Sequence, residues 1–493
     1  MKTYQDLLKV GDSEENRIGF IKQAIEEHKA SKLVRTAIDA DLYASGKNAT
    51  ISKYQKLLYT LEGKAVPDNY TANHKCKSGF FKRFVTQETA FEVGNGVTFI
   101  EDSTKERLGE DIDAVLYKAV KSALIQSVSF GFFNMDHVEL FKLTENGGFG
   151  GFVPIFDEED GTMKSGIRFW QIDCNKPMRA TLYELDGYTD YVSDKDGKLN
   201  ILNKKRTYKQ IVKYSAVDGE TVLPGSNYPS FPIVPLYGNM EKQSELVGIR
   251  EQIDCYDLIK SGFANDLDEA SMIYWVLQGY GGMEDIDLAE FKERMHTIGV
   301  AVLNGDEGSK AEAHTMDVPY QSRQVYLEML ANDLQHDTMS LDVTKIAAGA
   351  VTATQIRAAY EPLNEKCDEL EMCLVDFFNG ILKVAGIDDA PTFERSMISN
   401  QGESIQNVLV AAEYLPKDYI TEKVLTILGD GDRADEILGQ MEEEEAGRFE
   451  TETEEEPEAS EDLSAESAEM DSDYIGQFGE EVMSMLDDLL KGE

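Results

Sequence analysis

The chain is rich in side chains able to do chemistry, but their spacing withholds the usual reactions. Its 92 Asp and Glu residues are so dense that any two form a nominal acid–base pair, so pairing selects none without geometry. The six histidines (His28, His74, His137, His296, His314, His336) lack the His-x-His or His-Glu-x-x-His spacing that sets two imidazoles on one metal. Each reads as a surface or packing residue. No Gly-Lys-Ser/Thr occurs, so a Walker A loop is missing, and no Gly-x-Ser-x-Gly elbow occurs either. The glycine run at Gly147–Phe152 is followed by no helix start that would aim backbone N–H groups at a phosphate, and reads as a loop or hairpin. Asp157–Gly161 and Asp194–Gly197 lack the oxygen spacing, the Gly and the terminal Glu of a calcium loop, and read as turns. No catalytic, cofactor-binding or metal-ligating residue is assigned, and no cofactor is expected. Cys76, Cys174, Cys255, Cys367 and Cys373 form no Cys-x-x-Cys pair and read as buried free thiols of a reducing compartment.

Charge narrows the field further. The 493 residues carry 48 Lys and Arg, and the formal net charge is −44. A duplex binder must neutralise phosphates with cations, so simple affinity for nucleic acid is excluded, as is adhesion to an anionic membrane. Any meeting with DNA must be contact without adhesion. Met1–Arg17 has no apolar stretch ending in a small-residue cleavage site, and no apolar run approaches the ~18 residues of a membrane span. The chain is therefore expected to fold inside a cell. Its length suggests about three compact units.

The expected elements are mainly helical with a β-rich insert, an α+β class. Helical spacing dominates the first ~130 residues, as in Ile18, Ile21, Ile25 and Ala114–Phe130. From 131 to 236, Asp186–Gly187, Asp194–Gly197 and Asp218–Gly219 punctuate short β-rich runs, which predicts hairpins with type I′ turns. Pro224, Pro229, Pro232 and Pro235 then predict a rigid extended strap. A long helix is expected over Glu241–Asp268, with Leu246, Ile249, Ile253, Tyr256, Ile259, Phe263 and Leu267 as one apolar stripe. Glu251, Asp254, Asp257, Asp266 and Asp268 mostly fall on its other faces. An excursion of about 50 residues follows, with an apolar run at Met272–Leu277, a short helix near Asp287–His296, a strand Gly299–Leu303 and a turn at Asn304–Gly308. A helix Tyr320–Leu341 returns from it, carrying Val325, Met329, Leu330 and Leu334. Asp342–Val351 reads as a mobile small-residue loop. Thr352 and Gln355 then form a capping box, stapled by Val351 and Ile356, for a helix running to Ala385 with Gly386 as terminator. At 1.5 Å per residue it is about 50 Å long, and Pro362 should kink it by removing a hydrogen bond to the Ala358 carbonyl. Helices at Glu403–Tyr414 and Thr421–Leu428 follow. Residues 441–493 hold 21 Asp and Glu against 2 Lys and Arg, a net of −19, and Glu442–Glu469 is expected to be disordered. Ile475, Phe478, Val482, Leu486 and Leu489 repeat at helical spacing, as a helix that folds either on a partner or on its own body or neighbour.

This order of elements, with the stretches Asp41–Gly46 and Asn73–Gly96, the run Ile253-Asp254-x-Tyr256-Asp257 with Ser261 and Asn265–Leu267, and Thr352–Leu382, resembles the portal proteins of tailed bacteriophages, siphophage type. The usual Ser-Gly pair before the last of these is replaced here by Val351-Thr352. The resemblance implies a portal fold with wing (1–238), stem helices (239–268 and 319–341), clip (269–318), tunnel loop (342–351), kinked wing helix (352–398), crown (399–440) and acidic tail (441–493). It further implies a twelve-copy ring at one capsid vertex through which double-stranded DNA passes without tight binding. Its partners would be the terminase large subunit, the head-completion adaptor, and the major capsid and scaffolding proteins, in the virion and, during assembly, in the host cytoplasm. Twelve helices of about 10 Å diameter side by side enclose a lumen of roughly 28 Å, wider than a duplex. Thr344, Lys345 and Ile346 would be the tunnel-loop residues nearest DNA. Lys345 would either graze the backbone or stay solvated or salt-bridged. The alternative reading is a metal-dependent nuclease or hydrolase using clustered carboxylates, and a third is a monomer with an acidic partner-binding tail.

Overall fold

The computed structural model describes residues 2–441, apart from residues 12, 61, 70, 174, 216–218, 271–273, 279–285, 287, 289–292, 294–309, 315–319, 344–352, 397–400, 430 and 435–436. Two units, 1–398 and 399–493, each have their own internal packing.

The first unit opens on helices α1 (Tyr4–Val10), α2 (Glu14–Ala30), α3 (Lys32–Ala44) and α4 (Ala49–Lys53). Thr3 and Asp6 form a capping box on α1, and Ser31 accepts from the Val34 N–H to start α3. A hairpin, β1 (Leu57–Tyr59) and β2 (Ala65–Pro67), interrupts them before α5 (Phe80–Val93), β3 (Val97–Phe99), α6 (Asp102–Leu108) and α7 (Ile112–Gln126). Two antiparallel sheets follow. β4 (Val128–Asn134) and β5 (His137–Lys142) belong to a three-stranded sheet. β6 (Gly150–Phe156), β7 (Met163–Trp170), β8 (Arg179–Glu184), β9 (Gly187–Ser193) and β10 (Leu199–Arg206) form a five-stranded meander. A hairpin of β11 (Lys209–Ser215) and β12 (Gly219–Ser226) leads to β13 (Ile233–Tyr237), which returns to pair with β4.

Side-chain alternation lets the meander bury both faces. Phe152 and Tyr183 face the main core, while Val153, Ile155, Ile167, Phe169 and Leu182 face α1 and α2, where Leu7, Phe20, Ile21 and Ile25 cover them. Between the sheets, Phe130, Phe132, Phe141, Phe152, Tyr183 and Tyr208 stack with ring centroids 4.6–6.1 Å apart.

Beyond the sheets come α8 (Arg250–Ala270), a two-stranded ribbon of β14 (Tyr274–Gln278) and β15 (Lys310–His314), α9 (Tyr320–Asp337), α10 (Ala353–Ala385) and β16 (Pro391–Phe393), which pairs with β3. α10 lays Phe377 and Ile381 on the β13–β4 sheet and Phe378 against Phe99 and Phe393 of the β3–β16 pair, and its 33 residues run unbroken through the exposed Pro362. Gly386 at φ +69° ends it, with the Ile387 N–H donating to the Leu382 carbonyl at 3.0 Å, a Schellman terminus. In the second unit, α11 (Gln401–Val410) packs against α12 (Lys417–Leu428).

Several expectations change. The helix expected from Glu241 starts at Arg250, because the Asn239 side chain bonds both the N–H and the carbonyl of Gln243, and Lys242 and Gly248 take positive φ. The hairpin at Asp186–Gly187 is no type I′ turn: the two loop residues, Leu185 and Asp186, keep negative φ, and Gly187, which pairs with Glu184, takes φ +135°. The proline run is no extended strap. Pro235 sits in β13, an edge strand, where the missing N–H costs no ladder bond. Cys76 and Cys255 are only half-buried, while Cys367 and Cys373 are buried, and all four are free. Apart from Leu288 and Glu293, which are helical, the short helix and strand expected over 287–303 lie outside the described residues, as do the turn at 304–308, Cys174 and the acidic tail beyond Met441 with its terminal helix.

Two glycines give opposite expected outcomes. A Cβ at Gly131 would stand 2.5 Å from Phe377 Cζ, so Gly131→Ala overpacks the α10 contact and is expected to cost about 1–3 kcal/mol. Gly19, exposed on α2 with nothing near its Cβ position, should gain about 0.5–1 kcal/mol as Ala. Denaturant midpoints of the two variants check both signs.

Candidate functional site

α8 presents a polar stripe at 254, 257, 261, 265 and 268, spaced by three and four residues so that one face carries all five. Each of these groups holds a backbone or side chain from residues 43–78. Asp254 accepts from the Tyr43 hydroxyl and, at 2.7 Å, from Thr50 Oγ1. Asp257, wholly buried, accepts from Asn48 Nδ2 and at 2.8 Å from the Ser78 N–H. Ser261 Oγ accepts from the Cys76 N–H at 2.9 Å, Asn265 Oδ1 from the His74 N–H at 2.7 Å, and Asp268 pairs with the His74 ring. Residues 72–79 have no backbone ladder of their own, so α8 supplies the acceptors that their N–H groups need. Burial holds the Asp257 carboxyl above its ordinary range despite those hydrogen bonds.

α9 lies antiparallel against a different face of α8. Arg323 pairs with Asp266 and covers the Phe263 ring, and Gln252 donates to Asp337 at the other end. Leu330 and Leu334 are the buried side chains of α9, whereas Val325 and Met329, expected on the same stripe, are exposed. Four of the carboxylates expected off the apolar stripe, Asp254, Asp257, Asp266 and Asp268, thus have partners within the chain. Glu251 and Asp268 on α8 and Glu328, Asp333 and Asp337 on α9 are the exposed acidic groups among the described side chains of the pair, and of these Asp268 and Asp337 are bonded to His74 and Gln252.

A second polar cluster ties α5 to α10. Lys366 stands 2.7 Å from both Glu88 and Glu245, and Arg395 reaches Glu92 at 2.8 Å, Asp368 at 2.7 Å and Glu371 at 2.6 Å. Burial pushes the Glu88 and Glu92 carboxyls up to about 7, against the pull of Lys366 and Arg395. Next to it Phe91, Leu341, Tyr360, Leu363 and Cys367 pack together, and Gln87 donates to the Leu341 carbonyl at 3.1 Å. The chain is therefore pinned immediately before residue 342.

Thr344, Lys345 and Ile346, expected in a tunnel loop, and Thr352, expected as a cap, lie outside the described residues. Gln355 is exposed in the first turn of α10, and Pro362 on its exposed side. In the sequence, Asp254, Asp257, Ser261 and Asn265 stand out as stretches of resemblance but not as one polar cluster, and the Lys366–Arg395 cluster does not stand out. The pair Glu88 and Glu92, one turn apart on a helix that buries Phe81, Phe84, Val85 and Phe91, was a visible signal. Burial also pushes the His28 imidazole down to about 4, with its Nε2 3.0 Å from the Leu143 carbonyl, so it is a packing residue. Among the described residues no group of three or more His, Cys, Asp or Glu is placed to hold a metal ion.

Residues 41–458 match the family described as phage portal protein, SPP1 Gp6-like. The portal protein of Clostridium phage phiCD119 is 24% identical over 241 residues, 47% of this chain, and the match spans about half (52%) of that protein's length. The portal protein of Bacillus phage SPP1 is 23% identical over 416 residues, 79% of each chain. Two solved chains from the neck of GTA particles, one native and one empty, are 12% identical with TM-scores of 0.37 and 0.38. They cover 71% of this chain and 89% and 90% of their own.

Glu88 and Glu92 bind a proton more tightly in the folded chain than at their ordinary 4.5. Their contribution to stability is present below about pH 4.5 and is lost as pH rises through about 7. Glu92→Gln, which keeps the shape and removes the titration, is expected to gain about 1–3 kcal/mol relative to the parent chain between about pH 5 and about pH 8. Denaturant midpoints across that range would show the divergence; parallel curves would contradict it.

Proposed function

The chain belongs to the SPP1 Gp6-like family of phage portal proteins, and from that premise we propose that copies of it close into a ring, twelve by family precedent. The ring is the DNA conduit at one capsid vertex for packaging and ejection. α8 and α9 are the stem, the β14–β15 ribbon belongs to the clip, residues 342–351 are the tunnel loop, residues 1–238 and α10 are the wing, and 399–440 are the crown. The clip docks the terminase large subunit and later the head-completion adaptor, and the wing meets capsid and scaffolding proteins. Assembly takes place in the host cytoplasm and the product resides in the virion.

The single observation that supports this reading most is the antiparallel pair α8–α9 with a small two-stranded ribbon in the chain between the two helices. Charge supports the conduit role. At −44 per copy the ring repels phosphates, and the exposed Glu251, Glu328 and Asp333 are among the stem carboxylates that can face a lumen. The repulsion reaches about 8 Å at physiological salt, so it acts where the bore is narrow and leaves no binding well at each step. Pro362 kinks α10 and so sets where the helix leaves the tunnel loop for the sheet.

Electron microscopy of the purified protein is expected to show rings with a central hole, and native mass measurement a multiple of the 55.1 kDa chain. Solitary particles of one chain would end the proposal. Lys345→Gln is expected to leave rings intact and alter the rate of DNA packaging into procapsids; unchanged packaging would remove Lys345 from contact with the backbone.

A further inference from the structure

Two exposed apolar surfaces lie on opposite sides of α8. The first is the β1–β2 hairpin, where Leu57, Leu58 and Tyr59 are 51%, 42% and 73% exposed beside the half-exposed Tyr54. The hairpin is rooted on α8 from both ends, through Asn48 and Thr50 before it and His74, Cys76 and Ser78 after it. The second is the outer face of α9, where Val325 and Met329, one turn apart, are 65% and 48% exposed, next to Tyr326.

Helical geometry sets their relation. At 3.6 residues per turn, positions 254, 257, 261, 265 and 268 of α8 fall within an arc of about 80°. Positions 252, 255, 263 and 266, on the α9 side, fall within another arc centred roughly 160° away. On α9, Val325 and Met329 are turned about 100–140° from the face that meets α8. One chain therefore carries two unlike apolar patches on two sides of one rod and cannot cover either with the other. A two-fold pairing through either patch leaves the other bare, whereas a head-to-tail contact covers both in every copy. Charge agrees with that pairing. The exposed Lys53 and Lys64 flank the hairpin strands, and Glu328 and Asp333 lie on either side of the Val325–Met329 stripe.

We propose that the β1–β2 hairpin of one copy packs on the Val325–Met329 face of α9 in the next copy, as the apolar centre of the lateral contact. This rests on the ring reading above and names the surfaces that close it.

Two variants of the full chain test it: Leu58→Asp with Tyr59→Asp on the hairpin, and Val325→Asp with Met329→Asp on α9. Both replace exposed residues, so thermal unfolding should match the parent. Each variant alone is expected to lose at least tenfold of its ring fraction by native mass measurement. Mixed one to one, they are expected to yield heterodimers and nothing larger, because one intact hairpin meets one intact α9 face. A second arm places Tyr59→Cys and Met329→Cys in one chain, assembled and oxidised beside the parent. A denaturing gel without reductant should show a ladder of covalent multimers that the parent lacks. Undiminished rings from either variant, a mixture without heterodimers, or intact rings without the ladder would overturn this contact alone. A parent chain that stays monomeric would instead strike the ring reading itself.

Discussion

Buried carboxylates on α8 must be met by donors, and that need fixes the placement of everything around the helix. Asp257 has left water completely, and each of its oxygens has one protein donor, Asn48 Nδ2 and the Ser78 N–H. Losing either donor would leave a buried charge partly unpaired, which costs far more than a surface contact is worth. The same arrangement repeats at 254, 261 and 265, so the segment 72–79, which lacks a ladder, is held as though α8 were its neighbouring strand. With one face so occupied, α9 takes the other, and the chain between the two helices carries the ribbon β14–β15.

The second buried cluster works by a different balance. Lys366 and Arg395 draw Glu88, Glu92, Glu245, Asp368 and Glu371 together where α5 meets α10. Desolvation opposes the two deepest carboxylates strongly enough to raise both toward neutrality, so the cluster specifies geometry more than it stabilises. It holds α10 against α5 at the place where Leu341, Tyr360 and Leu363 pack, and so positions both ends of the chain that flanks residues 342–351. Bulk stability comes instead from the aromatic layer between the sheets and from the two-faced burial of the meander.

The long helices were legible because their apolar residues recur every three or four positions. α10 ends at the expected Ala385, and the reason is local, a glycine free to take positive φ. The start of α8 was not legible, since Asn239 and Gly248 redirect the backbone by contacts that periodicity ignores. Nor was the role of the acidic stripe. A carboxylate looks the same in sequence whether it meets water or a donor about 200 residues away, as Asp257 meets Asn48. The outward turn of Val325 and Met329 was hidden for a related reason: an apolar residue at helical spacing does not say which side has a neighbour.

Composition, charge and periodicity alone determined that this is an acidic α+β chain with two helices around a small β excursion and a long helix containing Pro362, because those properties depend on neighbours within about four residues. Tertiary structure alone decided which carboxylates are spent inside, which apolar side chains are left bare, and where the chain before residue 342 is pinned. Those outcomes depend on desolvation and on partners brought together from distant parts of the chain, and no local pattern carries that information.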